Sequence, residues 1–439
     1  MVRIGPMASP EFPLDRRQLM AGLGAAALAP IWTTAGVARA GPVLRLEGTT
    51  DSLALRPGSP ATPLWGLGEP DFRFRRGDIV DVGWAGFKGH GHLAMPNWRG
   101  IDGAPDVEPL PARLVETARP MPLRHAGTFL CELGLLGDGQ AQPSRAYAVV
   151  VRESEPVAVD RDEVLLIEDW RIRPDGTGVS PGSDPADAML IHTINGRTSP
   201  DFSARANERV RLRIINGCQR SVVAVKLEAM DVRVMAIDGQ PSEPFPARNG
   251  AVVLAPGGRL DAFVDVTATA GAETPILLHD GKEARPIGRI RVASGPPIRP
   301  VPLPAAPPLP SNGLPERLDL KSATRVDLPL GGPSGDWAAP AKFVATAPPA
   351  FRARTGRTVV LALTNRAAIA TVFHLHGHHF RLLDRLDDGW KPFWLDTLAI
   401  EPGQTQRIAF QAEYPGRYLI ESVATDWAAP RLVRWYAVE

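Results

Sequence analysis

The sequence predicts an all-β chain built from three β-sandwich domains, and three observations carry that expectation. First, the segments "FRFRRGDIVDVGWAG" (72–86), "FSARANERVRLRIINGC" (202–218) and "FRARTGRTVVLALTNRA" (351–367) share one pattern. Each opens on an aromatic residue, passes a basic turn and enters an apolar alternation of period two, the signature of a half-buried strand. Their starts lie 130 and then 149 residues apart, which implies three related domains. Second, later strands repeat too. "APGGRLDAFVDV" (255–266) resembles "EPGQTQRIAFQA" (401–412), and "AGTFLCEL" (126–133) resembles "PGRYLIES" (415–422). Third, the 439 residues include 42 Gly and 45 Pro. That is turn chemistry between short strands, as in Greek-key sandwiches, and helical periodicity is scarce.

Taken in order, residues 1–40 read as an export signal. Arg16 and Arg17 precede a short Ala- and Gly-rich apolar run, and Ala38-Arg39-Ala40 has the small-x-small form of a cleavage site. The paired arginines predict the twin-arginine route and a periplasmic destination. The run is too short for a permanent membrane anchor. The first sandwich is expected over 41–157 and the second over 158–295. A Pro-rich connector at 296–316 is expected to be extended and semi-rigid, and the third sandwich occupies 317–439. The formal charge is +1, from 49 basic and 48 acidic residues. No basic patch points to nucleic acid. Cys131 and Cys218 allow at most one internal disulfide, and the sequence does not say whether they meet.

Chemistry-bearing residues cluster at few places. "TVFHLHGHHF" (371–380) holds four of the nine histidines, and His90-Gly91-His92 holds two more. On a strand, residues i and i+2 share a face, so His374 pairs with His376 and His90 with His92. Laying "AGTFLCEL" on "PGRYLIES" places Glu132 opposite Glu421. Two domains thus each offer two histidines and one glutamate, a donor set suited to Cu, Zn, Mn or Fe. His379 falls on the other face of its strand, exposed or core-facing. His125, His192 and His279 have no ligand spacing and read as structural. There is no nucleophile elbow, phosphate loop or Cys-x-x-Cys pair.

Together "HGHLAMPNWRGIDGAPD", "INGRTSP", "RLRIING", "AIDGQP" and "FHLHGHHF" resemble the multicopper oxidases, laccase-like proteins of three cupredoxin domains. The resemblance implies three cupredoxin-like sandwiches, a trinuclear copper cluster between the first and third, and a type 1 copper in the third. The family's His-x-His motif is similar to His90-Gly91-His92, and its third motif to Thr371 through His376, with Thr371 where a type 1 histidine stands. Its second motif falls on Leu130 to Gly134, without histidine. Its fourth falls on Glu421-Ser422-Val423, Trp427 and Leu432, without the type 1 cysteine. The resemblance places His378 as a structural residue and Asp102 as an acidic proton relay.

The expectation is therefore a protein lacking the type 1 site, with one or two copper ions held by His90, His92, His374, His376, Glu132 and Glu421. Zn, Mn or Fe would suit the same donors. Any residual oxidoreductase activity would draw on a small-molecule reductant. The alternative is a metal-free periplasmic scaffold or envelope-assembly protein with a protein partner, as some family members are, notably a bacterial cell-division scaffold.

Overall fold

The computed structural model describes residues 43–87, 94–104, 119–135, 142–331, 336–343, 346–384 and 389–439. The export signal expected over 1–40, and the pair His90 and His92, lie outside the described residues. Gly41–Glu439 forms one compact unit. The described residues are almost wholly β, in six sheets that fall into three successive pairs.

The repeated segments explain the pairing. Each supplies a short strand to one sheet: Arg73–Arg75, Asp201–Ala204 and Arg352–Ala353. These run parallel to the closing strands Ala146–Arg152, Ala284–Val292 and Arg431–Val438. After the basic turn the chain crosses to the facing sheet as Ile79–Phe87, Arg209–Asn216 and Thr358–Asn365. These run parallel to the opening strands Val43–Leu53, Arg161–Ile172 and Thr324–Leu330. One topology is thus used three times. Each pair of sheets encloses its own apolar core, with Phe129, Val149 and Val80 in the first, Ile214, Val225 and Leu278 in the second, and Phe373, Phe410 and Ile420 in the third.

One repeated strand differs from its sequence reading. Arg209–Asn216 was expected to be half-buried, yet all eight residues are buried. Val210, Leu212 and Ile214 face the core of the second sandwich. The opposite face carries arginines that meet acids rather than water. Arg211 binds Glu153 at 2.8 and 2.9 Å and Asp261 through Nε at 3.0 Å. Arg213 binds Asp162 at 2.6 and 2.8 Å and donates to Thr128 Oγ1 at 2.9 Å. Thr128 belongs to the first sandwich, so this charged face is an interdomain contact. Alternation of Arg with Val or Leu cannot distinguish a wet face from one neutralised by a neighbouring domain.

The Pro-rich connector has neither strand nor helix over 296–316. It is pinned near its end by Asn312, whose side chain accepts from Ala126 N–H at 2.9 Å and donates to Ala126 C=O at 2.8 Å. Among the described residues, no helix is long and apolar enough to cross a membrane. Cys131 and Cys218 are both free and buried. Cys131 lies in the first core, on the face opposite to Glu132 as alternation requires.

Candidate functional site between the first and third sandwiches

The two outer sandwiches present matching strand pairs. In the third, Thr371–Leu375 lies antiparallel to Gly416–Ala424 with His374 directly opposite Glu421. In the first, Ala94–Arg99 lies antiparallel to Gly127–Leu135 with Asn97 directly opposite Glu132. The match of Glu132 with Glu421 is the one the repeat predicts. The register also fixes what faces them. Asn97-Trp98-Arg99-Gly100 occupies in the first sandwich the place of His374-Leu375-His376-Gly377 in the third, so the counterparts of His374 and His376 are Asn97 and Arg99.

Arg99 is the centre of the site. It is buried, as are Glu132, Glu421, His374 and His376. Its guanidinium reaches Glu132 Oε2 through Nε at 3.0 Å and Nη2 at 2.9 Å, and the same Nη2 lies 3.0 Å from Glu421 Oε2. Arg431 adds a second cation, 3.4 Å from Glu132 and 3.5 Å from Glu421. Burial alone would push both carboxyls up, but Arg99 and Arg431 overcome it. Glu132 is held below, and Glu421 well below, the usual carboxylate range.

The histidines can be assigned from their partners. Ionised Glu421 can only accept, so His376 donates Nε2–H to its Oε1 at 2.7 Å. Thr397 donates its hydroxyl to Asp396 Oδ1 at 2.7 Å. Its oxygen therefore accepts from His374 Nδ1–H at 2.9 Å, and Nε2 of His374 carries the lone pair. Burial first, then the adjacent Arg99, keeps His374 neutral, well below its ordinary value. His376 is not on the strand, which ends at Leu375. The chain turns at Gly377, with φ +76, where a Cβ would collide with the Tyr418 ring.

That turn sends the next two histidines to different tasks. Tyr436 donates its hydroxyl to His376 C=O at 2.6 Å and accepts from His378 Nδ1–H at 2.7 Å. His378 Nε2 accepts the Tyr414 N–H at 3.3 Å. Burial lowers its pKa to about 4, and it is a neutral structural residue.

His379 is fully buried and joins three domains. Its Nδ1 lies 2.7 Å from Asp102 Oδ1 in the first sandwich, and its Nε2 lies 2.9 Å from Asp238 C=O in the second. Asp102 is the counterpart of His379, two residues past Gly100 as His379 is two past Gly377. The second oxygen of Asp102 lies 3.2 Å from His125 Nδ1. Sequence spacing had given neither His125 nor His379 a partner, because these three residues are brought together only by the packing of the outer sandwiches. Alongside runs a second ion pair. Arg259 donates Nη1 to Asp396 Oδ1 at 2.9 Å and to Gly257 C=O at 2.8 Å, and its Nη2 to Asp238 C=O at 3.1 Å. Gly100 passes so close that a Cβ there would lie 2.7 Å from Asp396 Oδ2.

At the positions where the resemblance puts type 1 ligands, Thr371 donates to Asn365 Oδ1 at 3.2 Å. Ser422 is buried, and Trp427 is a buried ring with the Arg171 guanidinium 4.8 Å from its centroid.

Three pairs of sheets, with a histidine-bearing junction between the outer two sandwiches, define a cupredoxin-type architecture. Two profiles of the family described as multicopper oxidase match residues 161–272 and 317–439, together more than half of the chain. The chain belongs to the multicopper oxidase family. It is 26% identical over 339 residues to multicopper oxidase MmcO of Mycobacterium tuberculosis (strain ATCC 25618 / H37Rv). That alignment spans 66% of this chain and 64%, just under two thirds, of the relative. Among solved structures, Lac15 from a marine microbial metagenome is 26% identical with a TM-score of 0.68, covering 91% of this chain and all of that one. A multi-copper oxidase from Pseudomonas thermotolerans shares the fold, with a TM-score of 0.75 at 24% identity over 90% of this chain and 99% of its own.

Proposed function

We propose that this chain is a multicopper-oxidase relative that has left the oxidase reaction and serves as a periplasmic binding or assembly protein. Its outer domains are joined by a buried charge lock where the family holds a copper cluster. The observation that carries this reading is the Arg99 guanidinium, at the position matching His376 and in contact with both Glu132 and Glu421.

The family implies copper, so the donors must be tested for fit. A metal needs the lone pairs that Glu132 and Glu421 here direct at guanidiniums, and His376 has committed its Nε2–H to Glu421. A third cation beside Arg99 and Arg431 would meet like-charge repulsion in a poorly screened interior. A multinuclear cluster held by Glu132, Glu421 and His376 therefore does not fit this donor set. Nor do Thr371, Ser422, Trp427 and Leu432 offer the thiolate and imidazoles of a blue site. Burial pushes the Cys131 thiol far above its ordinary value, and it lies in the apolar core.

One observation favours a second reading. His374 is a neutral imidazole, oriented by Thr397, with its Nε2 lone pair free of that bond. That is the way supporting groups usually hold a ligating histidine. A single copper or similar ion on His374, with His90 and His92 as further donors, would use it.

Cu(II) titration of the mature chain, with oxygen uptake followed in the presence of a phenolic reductant, tests the proposal. The expected result is no intense blue thiolate band and no uptake above free Cu(II). A blue band or sustained turnover would sink it. The periplasmic assignment rests on Arg16 and Arg17. Changing both to Lys should retain folded protein in the cytoplasm, and normal export of that variant would refute the twin-arginine route.

A further inference from the structure

A second group of ligand-type side chains lies away from Arg99. Asp102, His125 and His379 are all buried, and one donor atom from each lies within 4.8 Å of the others. We propose that this group is a binding site for one divalent transition ion of the zinc class, taken up through the neighbouring cleft by displacement of Gln240. The inference is independent of whether His374 holds an ion.

Three features point to it. The donors are two imidazole Nδ1 atoms and a carboxylate, a set that suits zinc and its neighbours. His379 Nε2 is anchored on the Asp238 carbonyl at 2.9 Å. This is the usual outer partner of a ligating imidazole, and it leaves Nδ1 to face inward. The hydrogen bonds at His125 are also in conflict. Gln240 accepts from Asn312 through Oε1 at 3.0 Å, so its Nε2 is the atom 3.0 Å from His125 Nδ1. An Nδ1 that accepts this bond carries no proton to give Asp102 Oδ2, only 3.2 Å away. Two acceptors then face one another, and a cation between them resolves the conflict.

His379 has acceptors at both ring nitrogens, Asp102 Oδ1 at 2.7 Å and the Asp238 carbonyl at 2.9 Å. An entering ion would take the place of the hydrogen bond between Nδ1 and Asp102. Bonds of about 2.0–2.2 Å in tetrahedral array set donors roughly 3.3 Å apart. The two Asp102 separations, 2.7 Å at Oδ1 and 3.2 Å at Oδ2, open by up to about 0.6 Å, while the rest of the set, now within 4.8 Å, draws in. Gln240 is the group in the way. It also lines an open cleft of about 240 Å³ with Asn312, Arg381 and Trp394, so its side chain has somewhere to go.

The test is calorimetric titration of the metal-free mature chain with Zn(II) at pH 7. The wild type should bind one ion at this site. His379→Gln should weaken binding at least tenfold, and His374→Gln should leave it unchanged. Gln240→Ala, which removes the competing donor, should bind as tightly or more tightly, a result that damage to the fold cannot mimic. No Zn(II) uptake by the wild type, equal affinity in His379→Gln, or loss of binding on His374→Gln alone would overturn the proposal. Should His379→Gln fail to fold, the Gln240→Ala affinity decides, and weaker binding by Gln240→Ala would overturn the proposal.

Discussion

Arg99→Ala should destabilise the protein by about 3–5 kcal/mol, the usual cost of removing one partner from a buried charge pair. The loss would be read as a lower urea midpoint at pH 7. The reason is what remains. Glu132 and Glu421 stay buried, and the cation left to them is Arg431, at the longer distances of 3.4 and 3.5 Å, while Glu421 keeps its bond from His376. The pH dependence distinguishes this cause from simple loss of packing. In the wild type both glutamate pKa values are depressed. Their contribution is therefore present above the unfolded value, about 4.3, and is lost as pH falls through the lower folded values. In the variant the carboxyls lose that support and protonate more readily. Its deficit should shrink on acidification, whereas a packing defect would not change with pH.

Arg259→Ala should be comparably costly, again about 3–5 kcal/mol. Arg259 is fully buried and ties the second sandwich to Asp396 in the third, while Gly100 of the first packs against the pair. Removing it strands Asp396 with Thr397 and a distant His379 nitrogen at 3.7 Å. Asp238 gains little from the change: burial first, then Asp396, already raises its pKa to about 6, and Arg259 was one of the groups opposing that rise. Arg259→Lys should not rescue stability, because an ammonium cannot span both Asp396 oxygens and two backbone carbonyls as the planar fork does. Equal stability of the Lys variant and wild type, measured by urea unfolding, would refute the bidentate account.

Much of this was legible from sequence. The three aromatic–turn–strand segments fix an all-β repeat because alternation and turn chemistry are local properties. The pairing of Glu132 with Glu421 was legible for the same reason, since each lies five residues after a strand-opening glycine. What those glutamates hold was not legible. Arg99 lies 33 residues from one and 322 from the other, and no motif marks a counter-ion. The available signal was the likeness of Asn97-Trp98-Arg99-Gly100 to His374-Leu375-His376-Gly377, which the more conspicuous His90-Gly91-His92 obscured. Asp102, His125 and His379 were hidden because their convergence depends on how folded domains pack, and the buried arginines of 209–216 because their acids come from other strands and domains.

The central claim is that a guanidinium, not a metal, occupies the junction between Glu132 and Glu421. The most direct measurement is an anomalous difference map at the copper edge from crystals of the mature protein soaked in Cu(II). The account predicts no copper peak between the two carboxylates, with Arg99 Nη2 still within about 3 Å of both, the ordinary range for charge-assisted hydrogen bonds. Copper density at that point, with Arg99 displaced and Glu132 and Glu421 ligating, would contradict it.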